Sequence, residues 1–245
     1  MAGLPFALIG TNYTPMRMIM IPALACDDRL YTELVELLRG DFECSVVNPA
    51  APTMAACAEA VLGGAPEEPF AVLGTSFGGH VAREVALTAP ERVAALVVMG
   101  AGAATGAGAA DVFAERRRAV EEGELPDYLE TMARTIVFES DGRGEAAANA
   151  FRLMARDVAP SRFLAQAEAL ARRDDHSTTI SRIACPTLLL WGEKDSFSDP
   201  KAAKAMAGVM PNAELSIIAE CGHLPCLERP MRVASEIRRV LRPQV

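Results

Sequence analysis

Residues 70–79 read Phe70-Ala71-Val72-Leu73-Gly74-Thr75-Ser76-Phe77-Gly78-Gly79. The first half is a short apolar run of the kind that forms a buried strand. The second half is G-x-S-x-G, and it opens an amphipathic stretch that runs to Thr88 and is stopped by Pro90. Strand, sharp turn and helix in that order give this motif its meaning: the serine hydroxyl is exposed at the carboxyl end of a sheet. Neighbouring chain segments approach closely at such a turn, so positions 74 and 78 must lack side chains. The helix N-terminus behind the serine aims amide groups and a positive dipole end at the reacting oxygen. A phosphate loop of the Walker type would need Gly-Lys-Ser/Thr, and no Lys is near. Ser76 is the candidate nucleophile.

Outward from this motif, short apolar runs alternate with helical patterns. Runs at 18–24, 44–47, 94–99, 187–191 and 214–219 are too short for helices and read, with 70–74, as parallel strands. Helical patterns fall near 30–38, at 54–62, after Ser76 and at 230–241. This alternation predicts an α/β fold, a mostly parallel sheet with helices on both faces. It breaks once, between Met99 and Thr187. There a Gly/Ala stretch at 100–110, too small in its side chains to pack much, precedes helical patterns at 112–122, 127–138, 145–158 and 161–173. The predicted organisation is a sheet core of residues 16–102 and 181–245, a helical lid insertion at 103–180 and an N-terminal extension at 1–15.

A serine hydroxyl needs a base, and the chain holds three histidines, His80, His176 and His223. His80 lies one helical turn beyond Ser76 and is expected to point away as a structural or rim residue. His176 sits among Arg172, Arg173, Asp174 and Asp175 and reads as solvated. His223 follows the run 214–219, at the end of a strand where α/β sheets carry their chemistry, and is the candidate base. The base needs an orienting carboxylate. Asp195, in Trp191-Gly192-Glu193-Lys194-Asp195, completes the order Ser…Asp…His; Glu193 and Asp199 are weaker candidates. Backbone amides of Phe77, next to the nucleophile, and of Leu24, in the loop after the first strand, are the expected oxyanion donors.

These segments together resemble the α/β-hydrolase superfamily from about Met16 onward. The resemblance rests on the elbow, on Trp-Gly-Glu-Lys-Asp and on Gly-His-Leu-Pro-Cys-Leu-Glu-Arg-Pro from Gly222. The chain is most similar to the compact carboxylesterase branch that includes the pimeloyl-acyl-carrier-protein methyl ester esterases. It departs in two places. Pro22-Ala23 stands where the family usually carries His-Gly before the donor residue, and the Gly/Ala stretch stands where members usually have polar residues. The resemblance implies the α/β-hydrolase fold, a Ser76–His223–Asp195 triad, an acyl-enzyme, and no metal or cofactor. It also implies docking of an acidic acyl carrier protein, for which Arg116, Arg117 and Arg118 are the candidate contacts; a solvated face paired with local Glu is the plainer reading of those arginines.

The expected substrate is a small-molecule ester of small to medium acyl length. Leu24, Phe77, Tyr128, Met132, Phe138, Phe151 and Leu224, with Ile136 and Phe163, are the candidate apolar lining. Two other readings stay open: an acyltransferase or a lactone or thioester hydrolase of the same fold, and a non-catalytic small-ligand receptor.

Composition bounds these readings. At roughly 150 residues per domain, 245 residues make one large domain or two small ones. A net charge of −8 argues against a nucleic-acid partner. Six cysteines with no Cys-x-x-Cys pair read as thiols in a reducing compartment. No apolar run reaches the ~18 residues of a membrane span, and the N-terminus lacks a basic segment followed by a signal core. The apolar segment 18–26 leads straight into a helical pattern and reads as a buried strand. Cytoplasmic localisation is expected.

Overall fold

The first strand ends where Pro22, lacking an N–H, can no longer extend a ladder. In the computed structural model, which describes residues 15–241, this strand is β1, Met16–Ile21. The expected strand at 18–24 is thus displaced toward the N-terminus: beyond Pro22 the chain turns, with the Cys26 N–H donating to the Ala23 carbonyl at 3.0 Å. Of the expected N-terminal extension, residues 1–14 lie outside the described residues.

After β1 come α1 (Thr32–Leu38), β2 (Phe42–Val46), α2 (Met54–Gly63), β3 (Phe70–Thr75), α3 (Phe77–Thr88) and β4 (Val93–Met99). Four helices follow: α4 (Ala109–Glu121), α5 (Leu125–Thr135), α6 (Glu145–Arg156) and α7 (Pro160–Ala171). The chain then forms β5 (Thr187–Gly192), α8 (Pro200–Ala207), β6 (Ala213–Ile218), the single turn α9 (Pro225–Glu228) and α10 (Pro230–Leu241). The six strands form one parallel sheet in the order β2-β1-β3-β4-β5-β6.

This order fixes the layers. Parallel crossovers are right-handed, and the step from β1 to β2 runs opposite to all later steps. So α1 covers one face, and α2, α3 and α8 cover the other. α10 returns to the first face and packs on α1, presenting Val233, Ile237 and Leu241 at four-residue spacing. The middle strands are predominantly apolar because both faces are covered. All six residues of β3 and of β5 are buried, each large apolar side chain contributing about 1.5–3 kcal/mol.

The chain direction across the sheet reverses between β1 and β3. In an open parallel sheet, the crevice beyond the strand ends at such a point is where ligands bind. Tyr31 ties the two strand ends together there. Its buried hydroxyl is 2.7 Å from the Ile21 carbonyl, to which it donates, and 2.8 Å from Thr75 Oγ1.

Residues 100–103 do pack, contrary to the expectation for a Gly/Ala stretch. Ala101 and Ala103 are buried, and the Arg83 guanidinium donates to the Ala101 and Gly102 carbonyls, both at 3.1 Å. Small side chains are what let this segment lie close against α3. The helix α8 has start signals that the reading above assigned to chemistry: Asp199 is its N-cap, accepting the Lys201 N–H at 2.8 Å, and Pro200 opens the first turn. The six cysteines are free thiols. No described helix is long and apolar enough to cross a membrane.

Candidate active site

Ser76 sits between β3 and α3 with φ +53° and ψ −115°, a conformation that costs energy for any residue with a side chain. Its N–H donates to the Met99 carbonyl at 2.7 Å, and its carbonyl accepts from the Gly79 and His80 amides at 2.9 and 3.1 Å. Both halves of the turn are therefore held by backbone bonds. The two glycines have the expected steric reason. A Cβ at Gly74 would meet the Gly78 carbonyl oxygen at 2.0 Å, and one at Gly78 would meet the Ile21 carbonyl oxygen at 1.9 Å.

His223 and Asp195 meet beyond the ends of β6 and β5. His223 Nδ1 lies 2.8 Å from Asp195 Oδ2 and 2.9 Å from Oδ1. Asp195 is buried, and its Oδ1 also accepts the Phe197 and Ser198 amides, both at 2.9 Å. With His223, these amides occupy the hydrogen-bonding capacity of the carboxylate and fix its orientation. A carboxylate at Nδ1 places the proton there and leaves Nε2 as the basic nitrogen. The Phe197 ring stacks on the imidazole at 5.1 Å.

Ser76 and His223 line one cavity of about 650 Å³, whose walls include Gly100, Val112, Tyr128 and Phe197. Ser76 Oγ makes no hydrogen bond among the described residues. The Phe77 N–H, at the first position of α3, and the Leu24 N–H likewise have no acceptor there. Of the weaker acid candidates, Glu193 accepts the Glu220 amide at 3.3 Å, and Asp199 caps α8.

The apolar candidates scatter. Tyr128 lines the cavity. Met132 lines an adjoining hollow of about 400 Å³ that shares Tyr128 and Phe197 with it. Phe138 lies under the Arg143 guanidinium at 5.2 Å. Phe151, Phe163, Ile136, Leu24, Phe77 and Leu224 are core side chains, buried to within a few per cent. Packing between helices took most of the large apolar residues, which leaves the cavity itself more polar than expected. Of the three successive arginines, Arg116 turns inward to line the cavity and donates to the Tyr128 hydroxyl at 3.1 Å. Arg117 and Arg118 face outward, near Glu121 at 3.5 Å and Glu122 at 3.9 Å.

Both remaining histidines differ from expectation. His80 lines the cavity beside Ser76 instead of pointing away; its backbone N–H bonds to the Ser76 carbonyl within the first turn of α3. Its Nδ1 is 2.9 Å from Arg83 Nη2. Burial, and then the Arg83 charge, hold its pKa well below the usual imidazole range. His176 is half-buried, between Glu84 Oε2 and Thr179 Oγ1, each at 2.9 Å.

Several supporting residues escaped the reading of the sequence. Gly100, with φ +63°, lies against the imidazole. The Ile136 carbonyl accepts the His223 N–H at 2.9 Å. The Glu228 carboxylate accepts three amides, Gly222 at 2.8 Å, Phe138 at 2.9 Å and Leu224 at 3.2 Å, and so joins the His223 loop to the insertion. A glycine directly after a strand was a usable signal for Gly100. Nothing local marks the Ile136 carbonyl, whose partner lies far away in the chain; Glu228 lies in the quoted segment from Gly222 and bonds two amides within it, and only its bond to Phe138 is distant.

Comparison with known proteins agrees with the fold. Residues 49–230, more than half of the chain, match the α/β hydrolase fold family, and the protein belongs to that family. Among characterised relatives, a 2-hydroxy-6-oxononadienedioate/2-hydroxy-6-oxononatrienedioate hydrolase of Paraburkholderia xenovorans is 28% identical over 158 residues, 62% of this chain and 55% of that protein. A pimeloyl-[acyl-carrier protein] methyl ester esterase of Nitrosospira multiformis is 27% identical, covering 70% of this chain and 68% of its own. The match to the first of these spans little more than half of its length. Among solved structures, a thermophilic esterase from Thermogutta terrifontis superimposes with a TM-score of 0.83 at 27% identity, covering 94% of this chain and 90% of that one. An enol-lactonase from Burkholderia xenovorans LB400, at 15% identity and a TM-score of 0.82, shares the fold.

Proposed function

We propose that the protein is a serine hydrolase that cleaves carboxylic esters through an acyl-enzyme. The observation that carries this reading is the buried Asp195–His223 pair, joined at 2.8 Å, whose His223 lines the same cavity as a serine held at positive φ on a strand-to-helix turn. In this mechanism His223 Nε2 takes the Ser76 proton as Oγ attacks the ester carbonyl. Asp195 keeps the imidazole in the required tautomer and stabilises its charge. The Leu24 and Phe77 amides receive the oxyanion, each worth about 3–4 kcal/mol of transition-state stabilisation. The alcohol leaves with the proton from His223, and water then resolves the acyl-enzyme by the same route. No step requires a metal or cofactor. Helices α4 to α7 act as the lid over the site.

The names of the relatives support hydrolysis and leave the scissile group open, so hydrolysis of an oxo-diacid or a lactone at the same serine is the second reading. A panel of p-nitrophenyl esters from acetate to octanoate, with wild type and Ser76→Ala, tests the first. Turnover in wild type with loss of at least about 10³-fold in the variant is expected; equal rates in both would end it. Acceleration by added alcohols would mark an acyltransferase, and tight ligand binding without turnover a receptor. For a carrier-linked substrate, charge reversal at Arg117 and Arg118 would weaken the linked ester and spare small ones.

A further inference from the structure

The cavity that His223 lines also carries cationic groups that form no ion pair among the described residues. Arg116 and Arg173 both line it and both are half-buried, and neither forms an ion pair among the described residues. Arg173 Nε is buried with no hydrogen-bond partner. The one hydrogen bond of its guanidinium that the structure shows goes to a backbone carbonyl, that of Leu170. Arg83, beneath them, is almost wholly buried and likewise bonds only to carbonyls and to His80. These charges feel one another. Arg116 depresses the Arg173 pKa, an effect second only to burial, and Arg173 adds to Arg83 in depressing His80.

The acids nearby do not cancel this excess. Glu115 is the single carboxylate among the described lining residues, and it lies on the exposed side of α4. Glu84 is engaged with His176. Asp175 acts on Arg173 and Arg83 through space but bonds to neither, its oxygens accepting from Ser177 and the Thr105 amide at the surface. Half-buried guanidinium groups at close quarters normally share a carboxylate. His80 adds a directional donor to the same wall. Because Arg83 can only donate, His80 Nδ1 must accept, so its remaining proton is on Nε2.

We propose that Arg173 and Arg116, with the Nε2–H of His80, form an anion subsite, and that the substrate is an ester carrying a free carboxylate. This rests on the hydrolytic reading only for the identity of the scissile bond; the anion subsite stands on the wall itself. The carboxylate supplies the negative charge that this wall lacks. Guanidinium groups suit it because they can donate in parallel pairs to planar carboxylates. The same excess positive charge steers anionic substrates into the cavity of a chain whose net charge is −8.

The test compares matched esters. One pair places the acid on the acyl half: p-nitrophenyl hydrogen glutarate against p-nitrophenyl pentanoate. The other places it on the alcohol half: 3-carboxyphenyl butanoate against phenyl butanoate. In at least one pair, wild type is expected to prefer the acid ester in kcat/KM by about tenfold, the scale of one charge-assisted hydrogen bond. Arg173→Gln should remove that preference, and Arg173→Lys should keep part of it. A wild-type ratio near one in both pairs, or a preference that persists in Arg173→Gln, would overturn the proposal. Glutarate binding by calorimetry separates the two readings. Binding to wild type and not to Arg173→Gln, with no ester turned over, would leave the subsite standing and remove the hydrolytic reading. Ester turnover without acid preference or glutarate binding would do the reverse.

Discussion

Gly100 lies flat against the His223 imidazole: a Cβ there would come within 2.9 Å of Cε1 and 3.0 Å of Nδ1, and within 3.3 Å of Asp195 Oδ2. Position 100 also has φ +63°, where an alanine is strained by about 1–2 kcal/mol. Both effects act on the same pair of catalytic candidates.

Gly100→Ala is therefore expected to push the imidazole off the Asp195 carboxylate. Ester turnover should fall by about tenfold or more, and Tm by a few degrees. Steady-state kinetics with a thermal melt check both. Unchanged kcat would mean that the ring has room the geometry denies it.

Ser76 shows the opposite balance of stability and activity. Its left-handed backbone is strained in Ser76→Ala as well, but Ser76→Gly releases it. The glycine variant should be inactive yet more stable than the alanine variant by about 1 kcal/mol. Urea unfolding of both compares them directly, and equal midpoints would show that the elbow is relaxed.

Glu228 holds three amides with one carboxylate. Glu228→Gln removes the charge and offers one acceptor oxygen in place of two. A loss of about 1–2 kcal/mol in stability is expected, with a fall in kcat, because Gly222 and Leu224 flank His223. A drop in stability alone would separate the brace from the chemistry.

His80 gives a pH signature. Buried against Arg83, with Arg173, His176 and His223 nearby, it stays neutral in the folded chain at pH values where a free imidazole is charged. The unfolded chain takes up a proton near pH ~6.5 and the folded chain does not. Stability is thus full above that pH and declines as pH falls below it, by about 1.4 kcal/mol per unit for one proton. His80→Gln should flatten this slope between pH 6.5 and 5 on the scale of that principle. Parallel slopes for the two proteins would show that His80 titrates normally.

Local signals carried much of this far. The strand-turn-helix setting of Ser76, and glycines whose absent side chains make room for Gly78 and Ile21, could be read from ten residues. The parallel sheet followed from apolar runs too short to be helices. What stayed hidden depends on tertiary placement. The lining position of His80 depends on what surrounds the first turn of α3, and the burial of Phe151 and Phe163 on helix packing. The bond from His223 to the Ile136 carbonyl joins segments far apart in the chain. Asp199 could have been read correctly, since Asp-Pro before a helical pattern is a cap signal.

The insertion is fastened unevenly. At Ile136 and Phe138 it is riveted to the His223 loop, through the His223 amide and the Glu228 carboxylate. At 106–108 the chain is exposed, and neither Gly106 nor Gly108 has a neighbour within 4 Å of where a Cβ would stand. The seam at Ile136 and Phe138 thus fixes the backbone that carries the imidazole, while the open glycine loop borders the same cavity at its Arg116 end.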